Sequence, residues 1–366
     1  MKLNTIRLEN FRNYKDFALE FAPGVNLIVG ENAQGKTNLL EAISYLGSGK
    51  SFRAQKNGEL VLLGAEYAQV EGTLFSQERN QQIKWILYPA KARQLYHNGI
   101  KKKTAGDISG VLQTVLFCPE DLMVLKTGAS GRRRLGDQAL CQLRPNYEAA
   151  LSEYNRILEQ KSRILKDRFE NPAFLEVLPE YNTRLCQVGA LLISYRARFY
   201  EGLGKAAAEY HNLFSGGKEE FSLAYQTVST VTDPFAPVSV LTQQLQAHLE
   251  SHYRAELESC QCLTGPHKDD FEVTLSGMSV KAFGSQGQTR TAAISLKLAQ
   301  RELMHRESGE IPVLLLDDVL SELDAVRQDF VLNQIDQGQV FISCCDSERF
   351  TMLGKTVAIH NGAVVE

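Results

Sequence analysis

Gly30-Glu31-Asn32-Ala33-Gln34-Gly35-Lys36-Thr37 is the stretch that decides the fold. It satisfies the pattern Gly-x-x-x-x-Gly-Lys-Ser/Thr, in which glycines let backbone N–H groups turn inward around phosphate oxygens. The flanks match what that chemistry needs. Val25 to Val29 is a short run rich in branched residues, suited to a buried strand. Leu39, Leu40, Ile43 and Leu46 fall at helical spacing, so Lys36 to Leu46 is expected to be a helix, its positive N-terminal end facing the anion. A P-loop binding ATP follows, with contacts from Gly30, Glu31, Asn32, Ala33, Gln34, Gly35, Lys36, Thr37 and Asn38. Lys36 is expected to reach the β- and γ-phosphates, and the Thr37 hydroxyl to bind Mg2+.

Further along the chain, Val313-Leu-Leu-Leu-Asp-Asp318 is a hydrophobic strand delivering two carboxylates, as a Walker B element does. Asp317 is the expected magnesium ligand. Asp318 is placed to orient or deprotonate the attacking water. Gly284-Ser-Gln-Gly-Gln-Thr-Arg290 opens a helix and resembles the ABC signature, in which small residues at a helix start meet the γ-phosphate of a nucleotide held by another subunit. Ser285, Gly287 and Gln288 are its candidate contacts. Ser321-Glu-Leu-Asp324 resembles a D-loop. P-loop, signature, Walker B and D-loop in that order predict an α/β ABC-type ATPase head.

Around these motifs the chain divides into three expected parts. Residues 1–127 form the N-terminal part of the head. The run around Ile83 to Leu87 and the Asn98-Gly99 turn predict an antiparallel β subdomain there, over residues 60–117. Residues 128–262 are expected to be a mostly helical lobe, from the spacing of Leu151, Tyr154, Leu158 and Leu165, of Leu185 to Phe199, and of Leu241 to Leu257; Pro172 and Pro179 break the pattern. Residues 263–366 return to the head, ending in a hairpin around Asn361-Gly362.

Composition narrows the class. With 43% hydrophobic and 23% charged residues over 366 positions, the chain has the make-up of a folded protein with one large core or a core plus a second lobe. A net charge of −3 means that any nucleic-acid surface must be a local patch. The seven cysteines include no Cys-x-x-Cys pair, which argues against zinc and for reduced thiols in the cytoplasm. No signal-peptide core opens the chain, and no apolar run approaches the roughly 20 residues that span a bilayer.

Several segments together carry a family resemblance: Ile6 to Tyr14, FCPEDL at Phe117 to Leu122, RRRLGD at Arg132 to Asp137, TGPHKDD at Thr264 to Asp270, SQGQTRTA at Ser285 to Ala292, and LLLDDVLSELD at Leu314 to Asp324. The chain resembles the RecF family, bacterial recombination and gap-repair ATPases related to SMC proteins. The resemblance implies ATP-dependent homodimerisation, slow ATP hydrolysis, binding of single-stranded and gapped or double-stranded DNA, and cooperation with RecO and RecR in loading RecA during repair, replication and the SOS response. It places Arg12 and Asn13 near the nucleotide base. It also makes two basic runs, Lys101-Lys102-Lys103 and Arg132-Arg133-Arg134, candidate phosphate contacts. Gly136 stands where a large apolar residue is expected, which would weaken packing by about 1 kcal/mol. Thr289 replaces a usual glutamine, and the region of Ser343 and Cys344 lacks the switch histidine of transporter heads. The competing reading is the ATPase subunit of an ABC transporter, which would usually carry a Glu after Asp317 and that histidine. A small-molecule P-loop kinase would leave the signature unexplained.

Overall fold

In the computed structural model, residues 1–170, 172–335, 337–345 and 351–365 are described. The chain opens with β1 (Lys2–Phe11), β2 (Tyr14–Glu20), β3 (Val25–Val29) and helix α1 (Lys36–Ser48), then β4 (Ala68–Ser76), β5 (Arg79–Leu87), β6 (Gln94–His97), β7 (Ile100–Lys102) and β8 (Thr114–Phe117). Next come α2 (Ala129–Leu143), α3 (Pro145–Asp167), α4 (Leu178–Ser215), β9 (Phe221–Gln226), α5 (Val238–Ser259), β10 (Asp270–Leu275), β11 (Met278–Ser279) and α6 (Val280–Phe283). Helix α7 (Gln286–Ser308), β12 (Val313–Asp317), α8 (Ala325–Asn333), β13 (Val340–Cys344), β14 (Lys355–His360) and β15 (Ala363–Val365) complete it.

These elements form two compact units, one of residues 1–123 and 293–366, the other of 124–292. The expected boundaries at 127/128 and 262/263 therefore shift, most of all the second. The reason is strand pairing: β10 pairs along its length with β9, so Asp270 to Leu275 belong with the helical lobe. That pairing also puts a three-stranded sheet, β11-β10-β9, in a lobe expected to be mostly helical.

The first unit holds two sheets. One is antiparallel, in the order β2-β1-β4-β5-β6-β7; the other is mixed, in the order β15-β14-β3-β13-β12-β8. Leu3, Ile6 and Leu8 from the first and Ile28, Leu315 and Phe341 from the second share one core with Leu39, Leu40, Ile43 and Leu46 of α1. The helical spacing read from the sequence thus gives a helix clad in apolar residues because it is covered by both sheets. Trp85 packs edge-on against Tyr45 at 5.6 Å and donates its indole N–H to Leu46 O at 3.1 Å. Against the expectation of antiparallel strands, residues 60–117 are not wholly antiparallel. β8 runs parallel to β12, with Val115 opposite Leu314. Its run of Val-Leu-Phe suits a strand of either kind, and only the partner decides.

In the second unit, α3 starts with Pro145 in its first turn, where a missing N–H costs nothing. Pro179 does the same at the start of α4, after the break between α3 and α4 in which Pro172 lies. Gly216, in the left-handed conformation, ends α4 after 38 residues. Gly136 does not leave a packing defect: a Cβ there would lie 2.4 Å from the Tyr200 hydroxyl, so the ring of Tyr200 occupies the space a larger residue would need.

Candidate nucleotide site and signature segment

β3, β13 and β12 lie side by side and parallel, so their carboxyl ends open on one edge, with Asp317 opposite Ser343 and Ser343 opposite Ile28. Loops leaving that edge are where open α/β sheets gather ligand groups. Between β3 and α1 the chain turns through Ala33 at φ 66° and Gly35 at φ 122°. Gly35 is the N-cap position of α1, and the second conformation is open to glycine. At Gly30 a Cβ would stand 2.3 Å from Ile359 O, so the first glycine is required by close approach to β14.

Lys36 is buried, and its ammonium donates to Gly30 O at 2.7 Å, Glu31 O at 3.1 Å and Cys345 Sγ at 3.3 Å. All three protons are thereby held by the loop and its neighbour. The Cys345 thiol in turn donates to Asn32 Oδ1 at 3.1 Å. Thr37 Oγ1 donates to Asp317 Oδ1 at 2.9 Å, and Ser343 Oγ donates to the same oxygen at 2.9 Å. Ser343 Oγ also accepts the backbone N–H of Asp318 at 2.8 Å. Burial pushes the Asp317 carboxyl above its ordinary value, the Ser343 and Thr37 hydrogen bonds oppose this, and the charge of Asp318 adds to the rise. Asp318 sits in the left-handed region at φ 50°.

The loop is braced from three directions. Tyr14 donates its hydroxyl to Gly35 O at 3.0 Å, and Asn13 Nδ2 donates to Gln34 O at 3.1 Å. Asn38 Nδ2 donates to Asn13 Oδ1 at 2.8 Å. From the terminal hairpin, Gly362 N donates to Gln34 O at 3.0 Å and Asn361 N to Gln34 Oε1 at 2.7 Å. Arg12, expected near the base, forks onto the fully buried Glu41 of α1 at 2.8 and 2.9 Å and donates to Glu59 O at 3.0 Å. Its guanidinium is committed to holding α1.

These features fit a Mg2+ nucleotide. A lysine resting on loop carbonyls can exchange them for phosphate oxygens, and a threonine hydroxyl and a carboxylate meet on one point. Among the described residues no group of three or more His, Cys, Asp or Glu side chains could hold a metal ion. A divalent cation at Thr37 and Asp317 would complete its shell with phosphate and water oxygens, as magnesium does.

The signature belongs to the second unit. Ser285 N donates to Gln288 Oε1 at 2.9 Å and Gln288 N to Ser285 Oγ at 3.2 Å, a capping box at the start of α7. Thr289, the departure noted in the sequence, is buried and returns its hydroxyl to Ser285 O at 2.8 Å. Gly287 lies within the same first turn. In the first unit, Asp324 of the expected D-loop caps α8 by accepting from Arg327 N at 3.0 Å.

The basic runs separate. Lys101 and Lys103 are exposed and Lys102 half-exposed, on or beside the edge strand β7. Arg132 is no surface contact: it is 2% exposed, it pairs with both oxygens of Asp270 at 2.5 and 2.8 Å, and it donates to Val124 O and Thr127 O. Arg133 donates to Asp269 O at 2.7 Å, and only Arg134 is exposed. Arg196 joins Asp137 and Asp269 beside them, at 2.9 and 2.8 Å. RRRLGD and TGPHKDD are two sides of one buried ion-pair network. His267 belongs to the same segment; its Nε2 donates to Cys262 O at 2.9 Å and its Nδ1 accepts from Tyr154 OH at 2.7 Å, while burial pushes its pKa down to about 4. Sequence reasoning missed Ser343, Cys345, Glu41 and the Asn361-Gly362 turn as parts of the site. The one available signal was the apolar run Val340 to Ile342, which becomes β13 beside the strand ending at Asp317. No helix among the described residues is long and apolar enough to cross a membrane.

Over residues 2–363 the chain matches the family described as RecF/RecN/SMC N terminal domain. It is 38% identical over 350 residues to the DNA replication and repair protein RecF of Acetivibrio thermocellus, a match covering 96% of this chain and 95% of that one. Two solved structures of the recombination mediator protein RecF in the RecFOR pathway are similar throughout. The one with ATP has a TM-score of 0.91 at 35% identity, covering 100% of this chain and 97% of its own. The one described as RecF-ATPrS has a TM-score of 0.92 at 34% identity, covering 99% and 97%.

Proposed function

The chain belongs to the RecF family, and on that premise we propose that it is an ATP-driven DNA clamp of recombinational repair and replication in the cytoplasm. The carrying observation is the meeting of Thr37, Asp317 and Ser343 beside Lys36 at the carboxyl ends of three parallel strands. Lys36 and the loop amides bind the phosphates of ATP, and Thr37 and Asp317 hold Mg2+, which supplies charge neutralisation when bound. Asp318 orients the attacking water. Aspartate reaches one methylene less far than glutamate, which supports slow turnover.

Ser285, Gly287 and Gln288 complete the site of a second copy, so ATP favours a homodimer. The dimer binds DNA at gaps and single-strand–double-strand junctions through basic groups, of which Lys101, Lys102, Lys103 and Arg134 remain candidates. It acts with RecR and RecO to load RecA. The whole-length similarity to DNA replication and repair proteins favours this over a transporter ATPase. The test is to measure mass and affinity for gapped DNA with no nucleotide, with ADP and with a non-hydrolysable ATP analogue. A dimer with raised DNA affinity is expected with the analogue alone; equal mass and affinity in all three conditions would refute the clamp.

A further inference from the structure

We propose that Glu219 is a positioning residue for ATP turnover, holding the signature in working geometry and tying it to the end of α4. The proposal rests on Ser285 acting at the nucleotide of a second copy. Glu219 lies in the short connection between α4 and β9. That connection is pinned to the β10–β11 turn, because Ser276 N donates to Glu220 O at 2.7 Å and Glu220 N to Ser276 Oγ at 3.2 Å. The two carboxylate oxygens of Glu219 are used differently. Oε1 accepts from Gln288 Nε2 at 2.7 Å, and Oε2 accepts from His211 Nε2 at 2.9 Å. The Gln288 bond, with help from His211, holds the carboxyl below its usual range. His211 stands in the last turns of α4, fully buried, with its ring 5.5 Å from that of Phe221. Its Nδ1 has no hydrogen-bond partner, a cost that the fold bears at this spot.

The consequence falls on Gln288. A free glutamine amide can rotate, but here both ends are assigned, the nitrogen to Glu219 and the oxygen to Ser285 N. The carboxamide therefore fixes the Ser285 backbone, while Ser285 Oγ accepts from Gln288 N and keeps its proton for another acceptor. His211, Glu219, Gln288 and Ser285 form one chain of hydrogen bonds from the end of a 38-residue helix to the signature serine. Without Glu219 the start of α7 must be ordered at each encounter, which slows the step that needs it and leaves ATP binding at the P-loop alone.

The test uses the full chain and reads steady-state ATP turnover and ATP affinity for Glu219→Ala, Gln288→Glu and the exchange Glu219→Gln with Gln288→Glu. The first two should each lose about 10- to 100-fold in kcat with KM changed less than about twofold. Gln288→Glu sets two carboxylates face to face. The exchange restores an amide donor at 219 and acceptors for it and for Ser285 N at 288, and should return to within about threefold of the original. An exchange no faster than Gln288→Glu would overturn the relay. This reading survives a Glu219→Ala protein that fails to fold, since the exchange against its own parent decides. Ser285→Arg is measured alongside. If it dimerises and turns over normally, the cross-subunit reading falls and the relay with it; if it is dead while Glu219→Ala is normal, the relay alone falls.

Discussion

At Asp318 a fixed backbone and the carboxylate of the proposed mechanism fall on a single residue. Its backbone N–H is held by Ser343 Oγ, in a left-handed conformation that aspartate tolerates better than most residues. Asp317, one residue earlier, is bound to Thr37 and Ser343, at the proposed magnesium position. The two carboxylates can therefore be separated by mutation. Asp318→Asn keeps the shape and the backbone bond and removes the charge proposed to orient water. ATP affinity should stay within about twofold and single-turnover hydrolysis should fall by about 100-fold. Hydrolysis at the original rate would mean that another group acts as base.

Among the elements, α2 and the segment 264–270 depend on each other through buried charge. Arg132→Ala removes the buried partner of a half-buried Asp270 and the bonds to Val124 O and Thr127 O, at a cost of about 1–3 kcal/mol. Arg134→Ala, at an exposed position of the same helix, should change stability by no more than about 0.5 kcal/mol. Chemical denaturation of both variants checks this, and equal stabilities would contradict the network. His267 adds a pH dependence. Its folded pKa of about 4 lies below the value of about 6.5 expected when unfolded, so the unfolded state binds the extra proton between them. The stability contribution is whole above pH 6.5 and is lost as pH falls through 4, by on the order of 3 kcal/mol. His267→Gln should flatten the melting temperature over that window; an unchanged slope would assign the pH dependence elsewhere.

For the whole molecule, the proposed dimer makes a prediction that no single chain can. Ser285→Arg should leave ATP binding intact, since the P-loop is untouched, and should block ATP-driven dimerisation. Lys36→Ala should lose ATP binding, because the lysine is the one cation of the loop. Mixed together, the two chains form dimers in which one composite site carries both defects and the other neither. The mixture should regain up to about half of the activity per dimer of the original, read as ATP turnover against mixing ratio. No recovery at any ratio, with both variants folded, would argue that the signature serves its own chain.

The phosphate loop, the acidic strand end and the order of the motifs were legible in the sequence because each is local. A Gly-rich turn, a helix start and an apolar strand specify their own backbone within a few residues. The β3–α1 unit, the strand ending at Asp317 and the terminal hairpin followed directly, and so did the α/β ABC-type head. What the basic residues and strands do was decided by the tertiary structure. Arg132 reads as a surface cation until Asp270 is brought against it from 138 positions away. β8 reads as one more antiparallel strand until β12 aligns with it. β9 draws residues 270–275 out of the head and into the second unit. Burial and pairing are properties of both partners, and a partner distant in the chain leaves no mark on the local pattern of hydrophobic and charged residues. For the same reason Glu219, an ordinary acid between two elements in the sequence, acquires a role only when the end of α4 and the start of α7 close on it.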